Sequence, residues 1–193
     1  MIALPSAPAP APRRQVFVGT AVACAAGTAL MGGMLALYLR FRDVAIHTGD
    51  GTWIPANVKI SLVAANIMLI AFIPICVFAQ WAVYSAKRGD SPHAGLALGL
   101  TGLMGLLFIN AQAYIYSQAK MPANGGTFAA LFYVFTGAMT VLVVIGVVFS
   151  AVTAFRFLGG RTADREIVSA HAMYWYFLSF VFTMLWFVVY VTK

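Results

Sequence analysis

The sequence predicts an all-α integral membrane protein, a bundle of five transmembrane helices, and three observations carry that prediction. Five stretches, 15–39, 60–86, 91–119, 121–155 and 167–192, contain no Lys, Arg, Asp or Glu. Each exceeds the roughly 20 residues that a helix needs to cross about 30 Å of hydrocarbon. All charged residues lie at the ends of these stretches or between them. With 62% hydrophobic and 9% charged residues, the chain is far from the balance of a soluble domain.

One membrane domain is expected over 15–193, with helices at about 15–41, 57–87, 92–119, 124–157 and 166–192. Before it, residues 1–14 form an Ala/Pro-rich tail ending at Arg13-Arg14. Its alternating prolines remove helix donors and favour an extended or disordered chain. The tail lacks the basic-then-apolar order of a cleavable signal peptide.

The first helix carries Gly19, Ala23 and Gly27 at helical spacing. After it comes the longest connection, 40–59, holding Asp43, His47 and Gly49-Asp50-Gly51-Thr52-Trp53-Ile54-Pro55. Turn formers and an interfacial Trp suit an ordered loop outside the membrane. Pro74 is expected to kink the second helix. The short polar turn Lys87-Arg88-Gly89-Asp90-Ser91-Pro92 makes the second and third helices antiparallel neighbours.

In the third helix Gly95, Gly99, Gly102 and Gly105 recur at spacings of four and three, giving one smooth face. Small residues let helices approach closely in lipid, where tails are as apolar as side chains. Intramolecular packing is the plain reading of both glycine series, and contact with another membrane subunit is the functional one.

The net charge of +7 comes from basic residues flanking the spans, where they favour anionic headgroups and set orientation. Nucleic acid is therefore not an expected partner. Counted on alternate sides, Arg13, Arg14, Lys87, Arg88, Arg156, Arg161 and Arg165 face Arg40, Arg42, Lys59, Lys120 and Lys193. Seven against five places the N-terminus in the cytoplasm and the C-terminus outside.

No ionisable carboxylate or amine lies at depth, so proton relays and ion-coupled sites lack their usual residues. Cys24 and Cys76 fall inside spans without metal-ligand spacing and read as small hydrophobes in packing. His47 reads as a loop residue, while His93 and His171, near helix starts, read as solvated or interfacial. No facing pair of intramembrane histidines for a haem, and no three-ligand metal pocket, can be drawn. The chain is expected to bind no cofactor or metal itself.

Asn66, Gln80, Asn110 and Gln112 are amides within spans and read as hydrogen-bonding glue between helices. A functional alternative gives Gln112, with Tyr114 and Tyr116, a lipid headgroup or partner near the outer end of the third helix. Tyr174, Trp175 and Tyr176, followed by Phe177, offer either ordinary packing or a wall for lipid or a partner.

Several segments in order resemble subunit III of the haem-copper oxidases, in its short five-helix form. They are Ala29-Leu30-Met31 with Leu37-Tyr38, Lys87-Arg88-Gly89-Asp90, Gly105-Leu106-Leu107-Phe108, Gln112-Ala113-Tyr114-Ile115-Tyr116, Phe132-Tyr133-Val134-Phe135-Thr136-Gly137, and Tyr174-Trp175-Tyr176-Phe177 running to Val188-Val189-Tyr190. The departures are polar losses. Where the family has Glu after Ser in its first core helix, this chain has Ala29 after Thr28, and Ile115 stands at the Glu of QAYEY. TGFHGLHV becomes Thr136-Gly137-Ala138-Met139-Thr140-Val141-Leu142-Val143, and YWHFVD becomes Tyr174-Trp175-Tyr176-Phe177-Leu178-Ser179.

The resemblance implies a non-catalytic subunit of a respiratory terminal oxidase, with cytochrome c oxidase as the first candidate. Such a subunit leans on subunit I beside subunit II, holds phospholipid in a cleft, and leaves haem and copper to its partners. A cytochrome bc complex in a supercomplex is a further candidate partner, and a bacterial plasma membrane the implied location. Two alternatives compete: an accessory of another complex such as a nitric oxide reductase, and a small transporter. A water-filled cavity lined by Asn66, Gln80 and Asn110 together would favour the transporter reading.

Overall fold

The computed structural model describes residues 14–48, 51–55, 58, 60–122, 124–160 and 165–192. Five helices long and apolar enough to cross a membrane account for most of these residues: α1 (Gln15–Thr48), α2 (Leu62–Lys87), α3 (Ser91–Ala119), α4 (Thr127–Leu158) and α5 (Arg165–Trp186). The last of them ends in a π-helical turn, Phe187–Val191, closed by Thr192 N–H donating to the Phe187 carbonyl at 3.0 Å. The expectations for residues 1–13, and for Asp50, Lys59, Arg161 and Lys193, lie outside the described residues.

Local chemistry starts and stops the helices. Ser61 caps α2 by accepting from Ala64 N–H at 3.4 Å. The chain continues helically through Pro74, whose ring withholds one N–H from the ladder. At the other end Gly89, at φ +76°, turns the chain left-handed, while Gly89 N–H donates to Ala86 and Asp90 N–H to Ser85. These two bonds satisfy carbonyls that the helix end would leave open. Asp90 then caps α3, accepting from the His93 ring at 2.8 Å and the His93 N–H at 3.3 Å. Chiefly the ring hydrogen bond holds the Asp90 carboxyl below its ordinary pKa. This compact turn makes α2 and α3 antiparallel neighbours, as its length implies.

The first connection is shorter than expected. Helix α1 runs on through Arg40 to Thr48, because no Gly or Pro stands between Arg40 and Gly49. His47 therefore belongs to the last helical turn, 3.1 Å from Asp43, rather than to a loop. At 34 residues α1 is about 50 Å long, more than a bilayer core needs. Trp53 is also no surface residue. It is 8% exposed, donates from Nε1 to the Tyr38 hydroxyl at 3.0 Å, and stands edge-on to Phe128 at 5.5 Å.

Helices α2, α3 and α4 pack in chain order, and α5 lies against α2, α4 and α1. On α1, Gly27 faces the Phe177 ring, and the first-turn N–H of Phe17 donates to Glu166 Oε1 on α5 at 2.8 Å. A carboxylate thus meets one of the orphan donors at the start of α1. The centre is aromatic: Phe72, Phe108 and Phe182, from α2, α3 and α5, meet with ring centroids 5.0–5.4 Å apart and are at most 2% exposed. In lipid such interdigitation, rather than escape from water, holds helices together.

Candidate functional site

The interior site of this chain is the seat of Trp175. Its ring enters the junction of α3, α4 and α5 because two glycines make room. A Cβ on Gly105 would lie 2.7 Å from the Trp175 ring and 2.6 Å from Val147, and one on Gly146 would lie 3.1 Å from Trp175. Gly146 lies outside the glycine series of α1 and α3. Its sequence signal is the Gly146–Ser150 pair, a small residue and a hydroxyl one turn apart.

Polar groups complete the seat. Trp175 Nε1–H is shared between Ser150 Oγ at 3.1 Å and His171 Nε2 at 3.0 Å, while Ser150 Oγ lies 2.7 Å from His171 Nε2 and 2.9 Å from the Gly146 carbonyl. Indole N–H only donates, so Nε2 is the acceptor and the ring proton sits on Nδ1. That Nδ1 has no hydrogen-bond partner among the described residues. His171 is 0% exposed, which corrects its reading as an interfacial residue. It lies in the second turn of α5, but that turn is already covered by α4, with Phe149 edge-on at 5.5 Å. Proximity to a helix start marks depth along the axis and says nothing about which face is covered.

The other expected residues divide by face. Gly95 faces Leu158, where a Cβ would approach to 2.7 Å, and Gly102 faces Ser150 at 3.4 Å. Gly99 is exposed with nothing within 4 Å of its Cβ position, so the glycine face is not one continuous contact. Spacings of four and three drift around the helix, and Gly99 falls to the outer edge. Gln112 and Trp175, read as candidate lipid or partner contacts, are 2% and 0% exposed and are enclosed by this chain. Tyr174 is largely buried and donates to the Leu142 carbonyl at 2.9 Å. Tyr116 donates to Thr136 Oγ1 at 2.8 Å, since that hydroxyl itself donates to the Phe132 carbonyl. Tyr114 and Tyr176 are exposed.

The amides do not share a cavity. Asn66 accepts from Trp186 Nε1 at 2.9 Å, Gln80 accepts from the Tyr176 hydroxyl at 2.7 Å, and Asn110 is exposed on α3. Asn66 and Gln80 each join α2 to α5, but they stand about 21 Å apart along α2. The midplane polar pocket that a transporter would need is not formed by these three residues.

Residues 50–193 match the family described as cytochrome c oxidase subunit III. The chain belongs to that family. Among curated subunit III proteins, it is 27% identical to cytochrome c oxidase subunit 3 of Corynebacterium diphtheriae, covering 91% of this chain and 87% of that one. It is 30% identical to the probable subunit 3 of Rickettsia bellii and 30% identical to that of Sus scrofa, covering 74% and 72% of this chain. Against those two, the matched region spans only 53% and 55% of the relative's length.

Among the described residues no three His, Cys, Asp or Glu side chains converge. The one histidine inside the bundle, His171, is enclosed by Ser150, Trp175 and Phe149. Cys24 and Cys76 are free thiols on different helices. What the site does chemically is lock three helices together through one shared indole proton and two close glycine contacts.

Proposed function

We propose that this chain is the non-catalytic subunit III of a respiratory terminal oxidase, a cytochrome c oxidase, and that it stabilises the catalytic subunit and holds phospholipid. Membership of the subunit III family carries this reading. The interior supports it: among the described residues the buried side chains are aromatic, aliphatic or polar without charge, and His171 is seated against Ser150 and Trp175. Proton transfer across a membrane needs ionisable groups or water along a path, and the centre of this bundle is filled by Phe72, Phe108 and Phe182.

The reading assigns redox chemistry and its haem and copper to subunits I and II. It puts the chain in a bacterial plasma membrane with the Lys87 end of the bundle in the cytoplasm, following the basic-residue count. Exposed Tyr114 and Tyr176 remain candidates for lipid or partner contact.

The test is selective removal of the chain from the detergent-solubilised complex. Haem and copper content per catalytic subunit should stay unchanged while the thermal midpoint of the remaining complex falls. Loss of a stoichiometric haem or copper with the chain would contradict the assignment.

A further inference from the structure

Helix α5 has two lines of contact with an open strip between them. Phe177 meets Gly27 of α1, and Tyr176 and Trp186 meet Gln80 and Asn66 of α2. Tyr176, at the edge of the α2 line, and Phe180, Met184 and Phe187 beside it are 39–54% exposed. Their spacing of four, four and three makes one ridge along the helix, the shape that a neighbouring helix packs against. Helices α1 and α2 flank that ridge and form the walls of a groove.

One wall is polar at an unusual depth. The exposed Gln80 carboxamide accepts from the Tyr176 hydroxyl through Oε1, which leaves its two Nε2 donors without an acceptor among the described residues. Gln80 lies seven residues before Lys87, about 10 Å along the axis, and Tyr176 lies eleven after Arg165, about 16 Å. The headgroup layer is only about 6 Å thick on each side. By these lengths the donors fall within the charge-free part of both spans, farther from Lys87 and Arg165 than a headgroup layer is thick. Unmet donors there cost free energy, and a side-chain acceptor on another membrane helix can reach any depth.

We propose that a transmembrane helix of another oxidase subunit lies in the groove between α1 and α2, along the Tyr176–Phe187 ridge, and accepts a hydrogen bond from Gln80. A hydroxyl or amide side chain of the partner helix meets Nε2 there, and Phe180 and Met184 supply the close packing. The inference rests on the subunit III assignment and adds which face of the chain the complex covers.

Photo-crosslinking in the purified complex tests it. Benzoylphenylalanine is placed at Phe180, and at Val134 on the exposed face of α4 as a control. At Phe180 the adduct should be a transmembrane peptide of another oxidase subunit, while Val134 gives acyl-chain adducts. Gln80→Leu should weaken retention of that subunit roughly three- to tenfold on detergent titration, with Asn110→Leu, on exposed α3, leaving it unchanged. Adducts at Phe180 confined to lipid or to a second copy of this chain, or unchanged retention in Gln80→Leu, would overturn the inference and leave the assignment standing. If no oxidase subunit copurifies with the chain, both fall.

Discussion

Trp53 and Tyr38 are locked together fifteen residues apart: the indole donates to the phenol at 3.0 Å, and the rings meet edge-on at 5.2 Å. The phenol in turn stands edge-on to Phe135 at 5.7 Å, so the connection after α1 is anchored to α4 through α1. Trp53→Ala should destabilise the bundle by about 3 kcal/mol, the scale for emptying a buried aromatic site, and Tyr38→Phe by about 1 kcal/mol. Thermal unfolding of the purified chain in detergent measures both. Equal midpoints for wild type and Trp53→Ala would show that the loop contributes nothing to the bundle.

The Ser150–His171–Trp175 node should behave as a unit. Ser150→Ala and His171→Leu each remove one acceptor of the shared indole N–H, while the other still holds it. The double variant leaves the N–H unmet, so its destabilisation should exceed the sum of the singles by about 1 kcal/mol. A strictly additive cycle would mean that van der Waals packing alone seats Trp175.

Five spans are legible in the sequence because hydropathy is a sum over about 20 residues and tolerates local error. The Lys87–Pro92 turn is legible too, since Gly89 and Asp90 state their own geometry. What escapes is which face of each helix is covered. His171 and Trp53 look interfacial by position, and their burial depends on α4, a neighbour that one-dimensional spacing cannot place. The glycine series of α3 is half legible for the same reason: Gly95, Gly102 and Gly105 meet α4, and Gly99, identical in residue type, meets nothing.

That division predicts opposite outcomes for the same substitution. Gly105→Leu would drive atoms into Trp175 and Val147 and should cost about 3 kcal/mol or prevent assembly. Gly99→Leu adds a side chain where no atom stands within 4 Å and should leave yield and thermal midpoint unchanged in the isolated chain. Equal loss in both variants would show that Gly99 is covered as closely as Gly105.

Ile115 stands where the resembled family carries Glu, and it is 0% exposed. A carboxylate introduced there would lie in packed interior, and a buried charge costs several kcal/mol unless it is paired or neutralised. Ile115→Glu should lower the yield of folded chain well below that of Ile115→Gln. Oxygen consumption of the complex should not rise in either variant. Enhanced turnover in the Glu variant alone would restore a proton-handling role to this position.

The central claim is that the chain works as subunit III of a terminal oxidase. Native mass spectrometry of the complex purified through a tag on this chain, with its absorbance spectrum, tests it most directly. The account predicts one copy of the chain for each haem-copper catalytic subunit, with all haem mass on the partner. A chain that purifies alone, or in stoichiometric complex with proteins that carry no haem-copper centre, would contradict it.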